Sequence, residues 1–577
     1  MKLLASLLPL ASREFCQNGP HSRNCWGEHN ISTNYYDTIP EGKIVPVWLS
    51  IEQGPCAPDG FNRTCMTFNG TIPGPAIIAD WGDTLEIHVT NNMENQGAAI
   101  HWHGIRQLNS FAQDGVPGVT QCPIGPRQNG SAQGETITYR FKVTQYGTTW
   151  YHSHLSLQYA EGMYGPMILN GPATYDYDVD LGAVFLQDWS HTSAFKVWTD
   201  GIQGVSGPVE SGNGATLNST LINGMNTYHC ATIDGPACIS GGKKFETVFQ
   251  SGTKYLIRLI NVAIDAQFQF SIDGHTLTVI ANDLVPIEPY NTSSVLISIG
   301  QRYDVVVEAN APIGDYWMRG GWVDACARNP NAKDMTGIVR YDPSSTSEPA
   351  TSSNVTAPTS CNDEPQSNLK PWLKLNVTNL VQTTDEVLTT ERPNATIFHW
   401  VMGSSNLEIQ WEDPTLKHII NGNFSFDPDY NVVTVDKKSD AEDQFAVLVI
   451  ENTSNLGFLA HPIHLHGHDF WILNQTSAKY DPTLPFDLTR SDLVRRDVAM
   501  LPAAGHLAIA FKLDNPGSWL VHCHIAWHAS QGLGLEFLES GKSIVITPTE
   551  KQTFSQTCDD WVNKYMNSTW PRDDSGI

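Results

Sequence analysis

The sequence predicts an all-β protein built as consecutive sandwiches, and three observations predict it. Short alternating or β-branched runs are separated by Gly, Pro, Asn and Asp, the signature of antiparallel strands joined by turns. Long helical periodicity is scarce. A compound segment then returns three times along 577 residues, a length that calls for three or four cores rather than one.

Each repeat opens on a turn: FNGTIPGPA near Phe68, LINGMN near Leu221 and IINGNF near Ile419. An apolar strand follows, DTLEIHVTNN from Asp83, KYLIRLINVA from Lys254 and FAVLVIENTS from Phe445. A further strand contains AIHWHG, FQFSIDGH or HPIHLHGH, and the unit closes on a Gly-initiated strand, GTTWYHSH from Gly147, GDYWMRGG from Gly314 or GSWLVHCH from Gly517. These repeats give domains over 16–172 (with an N-terminal extension), 173–345 and 370–577, with a Ser/Thr/Pro-rich linker over 346–369.

Residues 1–15 read as a secretory signal or processed segment, with a charged start, a short apolar core and small residues. Asn-x-Ser/Thr sequons, among them Asn30, Asn62, Asn218, Asn354 and Asn423, fit a secreted, extracellular glycoprotein. If Cys523 is a metal ligand, ten of the 11 cysteines remain, an even number suited to an oxidising compartment. Proximity suggests Cys16 with Cys25, Cys56 with Cys65 and Cys230 with Cys238. Cys122, Cys326, Cys361 and Cys558 keep three possible connectivities. A formal charge of −26 repels nucleic acid, and no other run approaches the roughly 20 apolar residues of a membrane span. A membrane-free monomer is expected.

The chemistry is concentrated in histidines. Four His-x-His pairs occur, His101/His103, His152/His154, His464/His466 and His522/His524, and on a strand each pair presents both rings to one face. The middle repeat has Ser271 and Asp273 against His464 and His466, and Arg319, Gly320 and Gly321 against His522, Cys523 and His524, so it carries no metal chemistry there. Eight imidazoles from the outer repeats suit a cluster of three metals. Cys523 points to the opposite face from its flanking histidines, as does His461, an odd step before His464. With His528 they form a Cys-plus-two-His site, and Leu533 stands ten residues after the cysteine, where an axial donor would sit. That set is the blue-copper arrangement.

HWHG, HSH, HPIHLHGH and HCHIAWH resemble the four copper signatures of the blue multicopper oxidases. The threefold repeat resembles their three cupredoxin-like Greek-key β-sandwich domains, and HCHIAWH with Leu533, HWHGIRQ and the ending DDSGI resemble the ascomycete-type fungal laccases. The resemblance implies four copper ions: type 1 on His461, Cys523 and His528; type 2 on His101 and His464; two type 3, on His103, His152 and His524 and on His154, His466 and His522. It implies one-electron oxidation of phenolic and related aromatic donors, as in lignin degradation, with dioxygen reduced to water between the first and third domains.

Copper suits this task because imidazole and thiolate bind it and it cycles by single electrons. Leu533 offers no ligand atom, which favours Cu(I) and raises the potential. The resemblance gives Asp114 proton delivery at the cluster and the tail PRDDSGI the role of a plug, with no extension left to cleave. An acid accepting the phenol's proton is expected before the KYLIRLI strand, at Glu246 in preference to Asp234. His468 and Asp469 are read as structural. The alternatives are a ferroxidase-type oxidase, which needs acidic residues beside the type 1 histidines, and a non-enzymatic electron-transfer protein, which leaves eight histidines unexplained. The ascorbate and bilirubin oxidases carry an axial methionine where Leu533 stands.

Overall fold

The computed structural model describes residues 16–128, 131–202, 217–230, 232–329, 335–391, 399–439, 442–454, 458–570 and 572–577; the processed segment expected over 1–15 lies outside them. One strand arrangement occurs three times. Ile44–Cys56 runs parallel to Thr84–Asn91, which pairs antiparallel with Thr136–Lys142. Val179–Trp189, Lys254–Asn261 and Arg302–Glu308 repeat that order, as do Leu380–Glu391, Phe445–Asn452 and His506–Lys512.

The facing sheets repeat too. Ile77–Asp80, Tyr164–Asn170, Gly147–Ser153 and Ile100–His103 are neighbours in that order. The second domain aligns Glu246–Val248, Thr336–Arg340, Asp315–Trp322 and Phe268–Ile272, and the third Val432–Val435, Gly534–Glu539, Gly517–Cys523 and His461–Leu465.

Local pattern explains these strands. In Thr84–Asn91 the apolar Leu85, Ile87 and Val89 are buried while Thr84, Glu86, His88 and Thr90 are partly exposed, the period-two alternation of a half-covered sheet. Gly517–Cys523 is buried at every position, because the third domain covers one face and the seam with the first covers the other. One apolar core runs from the second domain into the third and takes in Phe111, Val119 and Leu157 from the edge of the first, whose sandwich has a further core of its own.

The described disulfides join Cys16–Cys25, Cys56–Cys65, Cys230–Cys238, Cys326–Cys361 and Cys122–Cys558, which selects one of the three connectivities left open by the sequence. Cys523 is free and buried. Cys122–Cys558 clamps the helix Pro548–Asp560 of the third domain to the first. That helix starts on a capping box, Thr547 with Glu550, and has Pro at its first turn, a signal legible in Thr-Pro-Thr-Glu. Part of the expected linker is docked: Asp363 and Glu364 are buried, and Asp363 accepts from Gln301, Gln475 and Met500.

Candidate metal centres

Strand register places the histidines. His101 lies opposite His152 and His464 opposite His522 on adjacent strands, so each His-x-His pair adds two rings to a face already holding two. The outer domains then bring their faces together. His101 stacks on His466 and His103 on His464, each with ring centroids 3.9 Å apart. His154, His466 and His522 form one converging group, and His101, His103 and His152 another. His524 joins the latter, its ring 5.1 Å from that of His103 and 5.5 Å from that of His152.

The ring nitrogens test whether metal ions fit. His101 Nδ1 donates to Asp114 O (2.9 Å), His152 Nδ1 to Ser153 O (2.9 Å), His464 Nδ1 to Asp497 O (2.8 Å) and His522 Nδ1 to Cys523 O (3.0 Å). His466 Nδ1 donates to Asp114 Oδ2 (2.8 Å). His103 is reversed: its Nε2 donates to Asp497 Oδ1 at 3.2 Å. The nitrogens left over are buried without protein partners, namely Nε2 of His101, His152 and His464, Nδ1 of His103, and both nitrogens of His154 and His524. Burial, reinforced by neighbouring imidazoles, holds His103, His152, His154, His464, His466 and His524 well below the usual histidine range. Neutral rings with converging lone pairs, most of them held in one tautomer by the partner of the other nitrogen, have the donor chemistry that suits metal ions.

The cysteine site lies wholly in the third domain. Cys523 Sγ is 3.7 Å from His461 Nδ1 and 3.6 Å from His528 Nδ1, and the two nitrogens are 3.1 Å apart. Bonds of about 2.0 Å to nitrogen and 2.3 Å to sulfur imply triangle edges near 3.5 Å around one ion, so the three donors fit a metal. Burial lowers His528 to about 3 and pushes the Cys523 thiol up. The Trp400 ring covers both histidines at 4.7 and 4.8 Å. Leu533 is buried beside them, its carbonyl accepting Cys523 N at 3.0 Å.

Asp114 sits between two cluster histidines, with Oδ1 3.2 Å from His101 Nδ1 and Oδ2 2.8 Å from His466 Nδ1. A cavity of 20 Å³ is lined by His152, His154, His522, His524 and Ile577 among others, room for about one water-sized molecule. The tail reaches it through paired backbone: Ile409 N donates to Ser575 O and Ser575 N to Ser530 O. Asp574 Oδ2 accepts from the Ser156 and Ser530 hydroxyls. His468 contacts Glu539 at 2.9 Å and Asp469 accepts from the Tyr36 hydroxyl.

The substrate acid expected at Glu246 is corrected by geometry. Glu246 is exposed, and both its oxygens are held by Arg340 at 2.8 Å, which lowers its pKa, the wrong direction for a proton acceptor near neutrality. The Asp234 side chain lies outside the described ones. Asp265, which the sequence reading missed, fits better. Ala526 N donates to Ile264 O at 3.1 Å, seating this second-domain turn on the short helix that carries His528. Burial and then the charge of Asp188 push Asp265 up to about 7, and its charge is felt at Cys523. Asp188 fixes the turn by accepting the N–H groups of Ile264, Asp265 and Ala266 at 2.8, 2.9 and 3.0 Å. The available signal was an acid in the turn after the KYLIRLI strand, between two segments the repeat had already aligned.

Three stretches match family models described as multicopper oxidase, residues 50–174, 181–344 and 401–543. Laccase-2 of Botryotinia fuckeliana is 52% identical over 575 residues, covering 99% of this chain and 95% of that one. The crystal structure of a laccase from Botrytis aclada is 51% identical with a TM-score of 0.91, covering 97% of this chain and 100% of that one. Fet3p, described as a multicopper oxidase that functions in iron import, is 24% identical with a TM-score of 0.75 over 92% of this chain and 98% of its own, a likeness of fold alone.

Proposed function

Given that the chain belongs to the multicopper oxidase family and is an oxidoreductase of the fungal laccase type, we propose that phenolic donors are oxidised at the Cys523 site and dioxygen is reduced at the histidine cluster. The observation that carries this reading is Cys523 itself: its Sγ completes one triangle of donors while the rings of its neighbours, His522 and His524, belong to the other centre. When bound, four copper ions would supply one-electron exchange at the first site and four-electron delivery to dioxygen at the second. Cys523, His461 and His528 would hold type 1 copper, and Leu533 withholds a fourth donor. His101 and His464 would hold type 2, with His103, His152 and His524 and His154, His466 and His522 holding the type 3 pair.

The protein's own residues order the protons. Four phenol O–H groups lose four electrons and four protons, which balances dioxygen, four electrons and four protons becoming two waters. At the entry site a carboxylate oxygen of Asp265 accepts the phenol's proton as its electron leaves. At the cluster Asp114 holds the hydrogen bonds of two rings and stands where protons must arrive. Trp400 keeps water off the entry histidines, and the tail with Ile577 narrows the approach to the cluster. Residues 1–15 and the sequons support a secreted product. No helix among the described residues is long and apolar enough to cross a membrane.

Oxygen uptake tests the reading. One dioxygen should be consumed per four phenols without accumulation of hydrogen peroxide, and metal analysis should give four copper ions per chain. Uptake with Fe(II) but not with phenols would transfer the assignment to the ferroxidase alternative.

A further inference from the structure

The second domain contributes no ligand to either centre, yet one of its side chains reaches the cluster. Arg302, on the strand Arg302–Glu308, is fully buried. Its Nη1 and Nη2 each donate at 2.6 Å to a separate oxygen of Asp497 in the third domain. Two further N–H groups of the fork are used, Nε on Thr148 O of the first domain at 3.3 Å and Nη1 on Gly300 O at 3.1 Å. Asp283 holds the far side, accepting Arg302 N at 3.0 Å, Asp497 N at 3.1 Å and Arg496 Nε at 3.2 Å. All three domains meet at this guanidinium.

Asp497 is also the partner of two cluster histidines. Its carbonyl accepts His464 Nδ1, and its Oδ1 accepts His103 Nε2. His101, His152, His464, His466 and His522 are each held at Nδ1. His103 is held at Nε2, so it is Nδ1 that is left without a partner. The packing leaves little room for another arrangement. A Cβ at Gly104, which follows His103 with φ +73°, would lie 2.4 Å from Arg302 Nη2 and 2.6 Å from Asp497 Oδ2. A Cβ at Gly300 would lie 3.1 Å from His524 Cδ2 and 3.2 Å from His103 Cε1.

We propose that Arg302 is a positioning residue for the copper cluster: its bidentate grip on Asp497 sets which ring nitrogen His103 offers to metal. The guanidinium fork matches both carboxylate oxygens at once, which a lysine ammonium cannot do. Held in this way, Asp497 has one orientation and presents Oδ1 to His103 Nε2. Released from the fork, the carboxyl can rotate, and His103 loses the partner that reserves Nδ1 for the ion. The domain without ligands thereby acts as the rear wall of a centre built by the other two.

This inference rests on the copper reading above. If wild-type protein does not bind four copper ions, that reading fails, and the comparison of variants decides the inference only where it holds. The test compares Arg302→Lys, Arg302→Met and Asp497→Asn with wild type by copper content, paramagnetic resonance, blue absorption and melting temperature. Arg302→Lys and Asp497→Asn should keep the blue absorption of the Cys523 site but release cluster copper to a chelator at about 10–100-fold lower chelator concentration, the usual consequence of losing a partner behind a metal-bound histidine. A crystal structure of copper-loaded Arg302→Lys should show His103 rotated or disordered. If Arg302→Met fails to fold, the two conservative variants decide. Full cluster occupancy with only a lowered melting temperature would make Arg302 a simple interdomain tie and overturn the proposal. Loss of both centres in proportion to unfolded protein in the conservative variants would overturn it as well.

Discussion

The middle repeat and the outer repeats use one register for different ends. His464 opposes His522 in the third domain and His101 opposes His152 in the first, and Ser271 opposes Arg319 in the second. Where the outer domains aim imidazoles, the second forms an ion pair, Arg319 Nε and Nη2 donating to Asp273 at 2.8 and 2.7 Å. The sandwich therefore supplies a pair of facing positions on neighbouring strands, and the residues placed there decide whether the pair binds metal or stabilises the fold. The second domain's service to the centres comes instead from its margins, Arg302 behind the cluster and Asp265 beside the entry site.

The comparison is broken most severely by removing the residue that joins the two centres. Cys523→Ser replaces a soft thiolate with a hydroxyl that copper binds poorly, and it should reduce phenol turnover by more than about a hundredfold, beyond the cost of losing a partner of a ligand. Blue absorption should vanish while the cluster's histidines retain copper, which metal analysis and paramagnetic resonance would separate. Turnover that survives without the blue band would mean that electrons enter elsewhere.

A change at the middle repeat's counterpart of His466 should have the opposite character. Asp273→Asn deprives Arg319 of its carboxylate and weakens the bond from the Thr351 hydroxyl (2.8 Å). Arg319 keeps some solvent contact, so the loss should be about 1–3 kcal/mol, read as a lower melting temperature. Copper content, blue absorption and turnover at low temperature should be unchanged. Altered copper binding in this variant would show that the second domain's strand pair is coupled to the centres after all.

Legibility in the sequence follows the same division. The strands of the three sandwiches were readable because side-chain alternation and turn residues are local. The histidines and cysteine that the structure brings together were readable because the repeat supplied its own internal control, with Ser271 and Arg319 standing where the outer units have histidine. Asp114 was indicated by the family resemblance, and its contacts with His101 and His466 came only with the structure. What escaped depended on contacts across domains. Nothing local marks Arg302 as the partner of Asp497, since 195 residues separate them. Asp265 is one acid among the 60 Asp and Glu of the chain, and what distinguishes it from Glu246 is three-dimensional: the seating of its turn on Ala526 and the absence, among the described residues, of an Arg340-like partner holding its oxygens. The pairing of Cys122 with Cys558 likewise became evident once Pro548–Asp560 was seen to lie on the first domain.

The smallest expected effect bears on Asp265 and carries a sign in pH. Its carboxyl is pushed up to about 7 by burial and by Asp188, so the acid form predominates below that value and the base form above it. If the base form accepts the phenol's proton, wild-type kcat/KM for a phenol should exceed that of Asp265→Asn by about three- to tenfold above pH 7, less than a fully committed base because water also accepts protons. The two should converge near pH 5. A donor that gives up an electron without a proton, such as ferrocyanide, should show no such difference at any pH. Stability supplies a second sign. A carboxyl with a raised folded pKa contributes stability in full below its unfolded value near 4 and loses it as pH rises through about 7. Melting temperature should therefore fall less between pH 5 and pH 8 in Asp265→Asn than in wild type. Equal losses with the phenol and with ferrocyanide would reduce Asp265 to a structural part of the turn that Asp188 holds, and the entry site would then have to pass its protons directly to solvent.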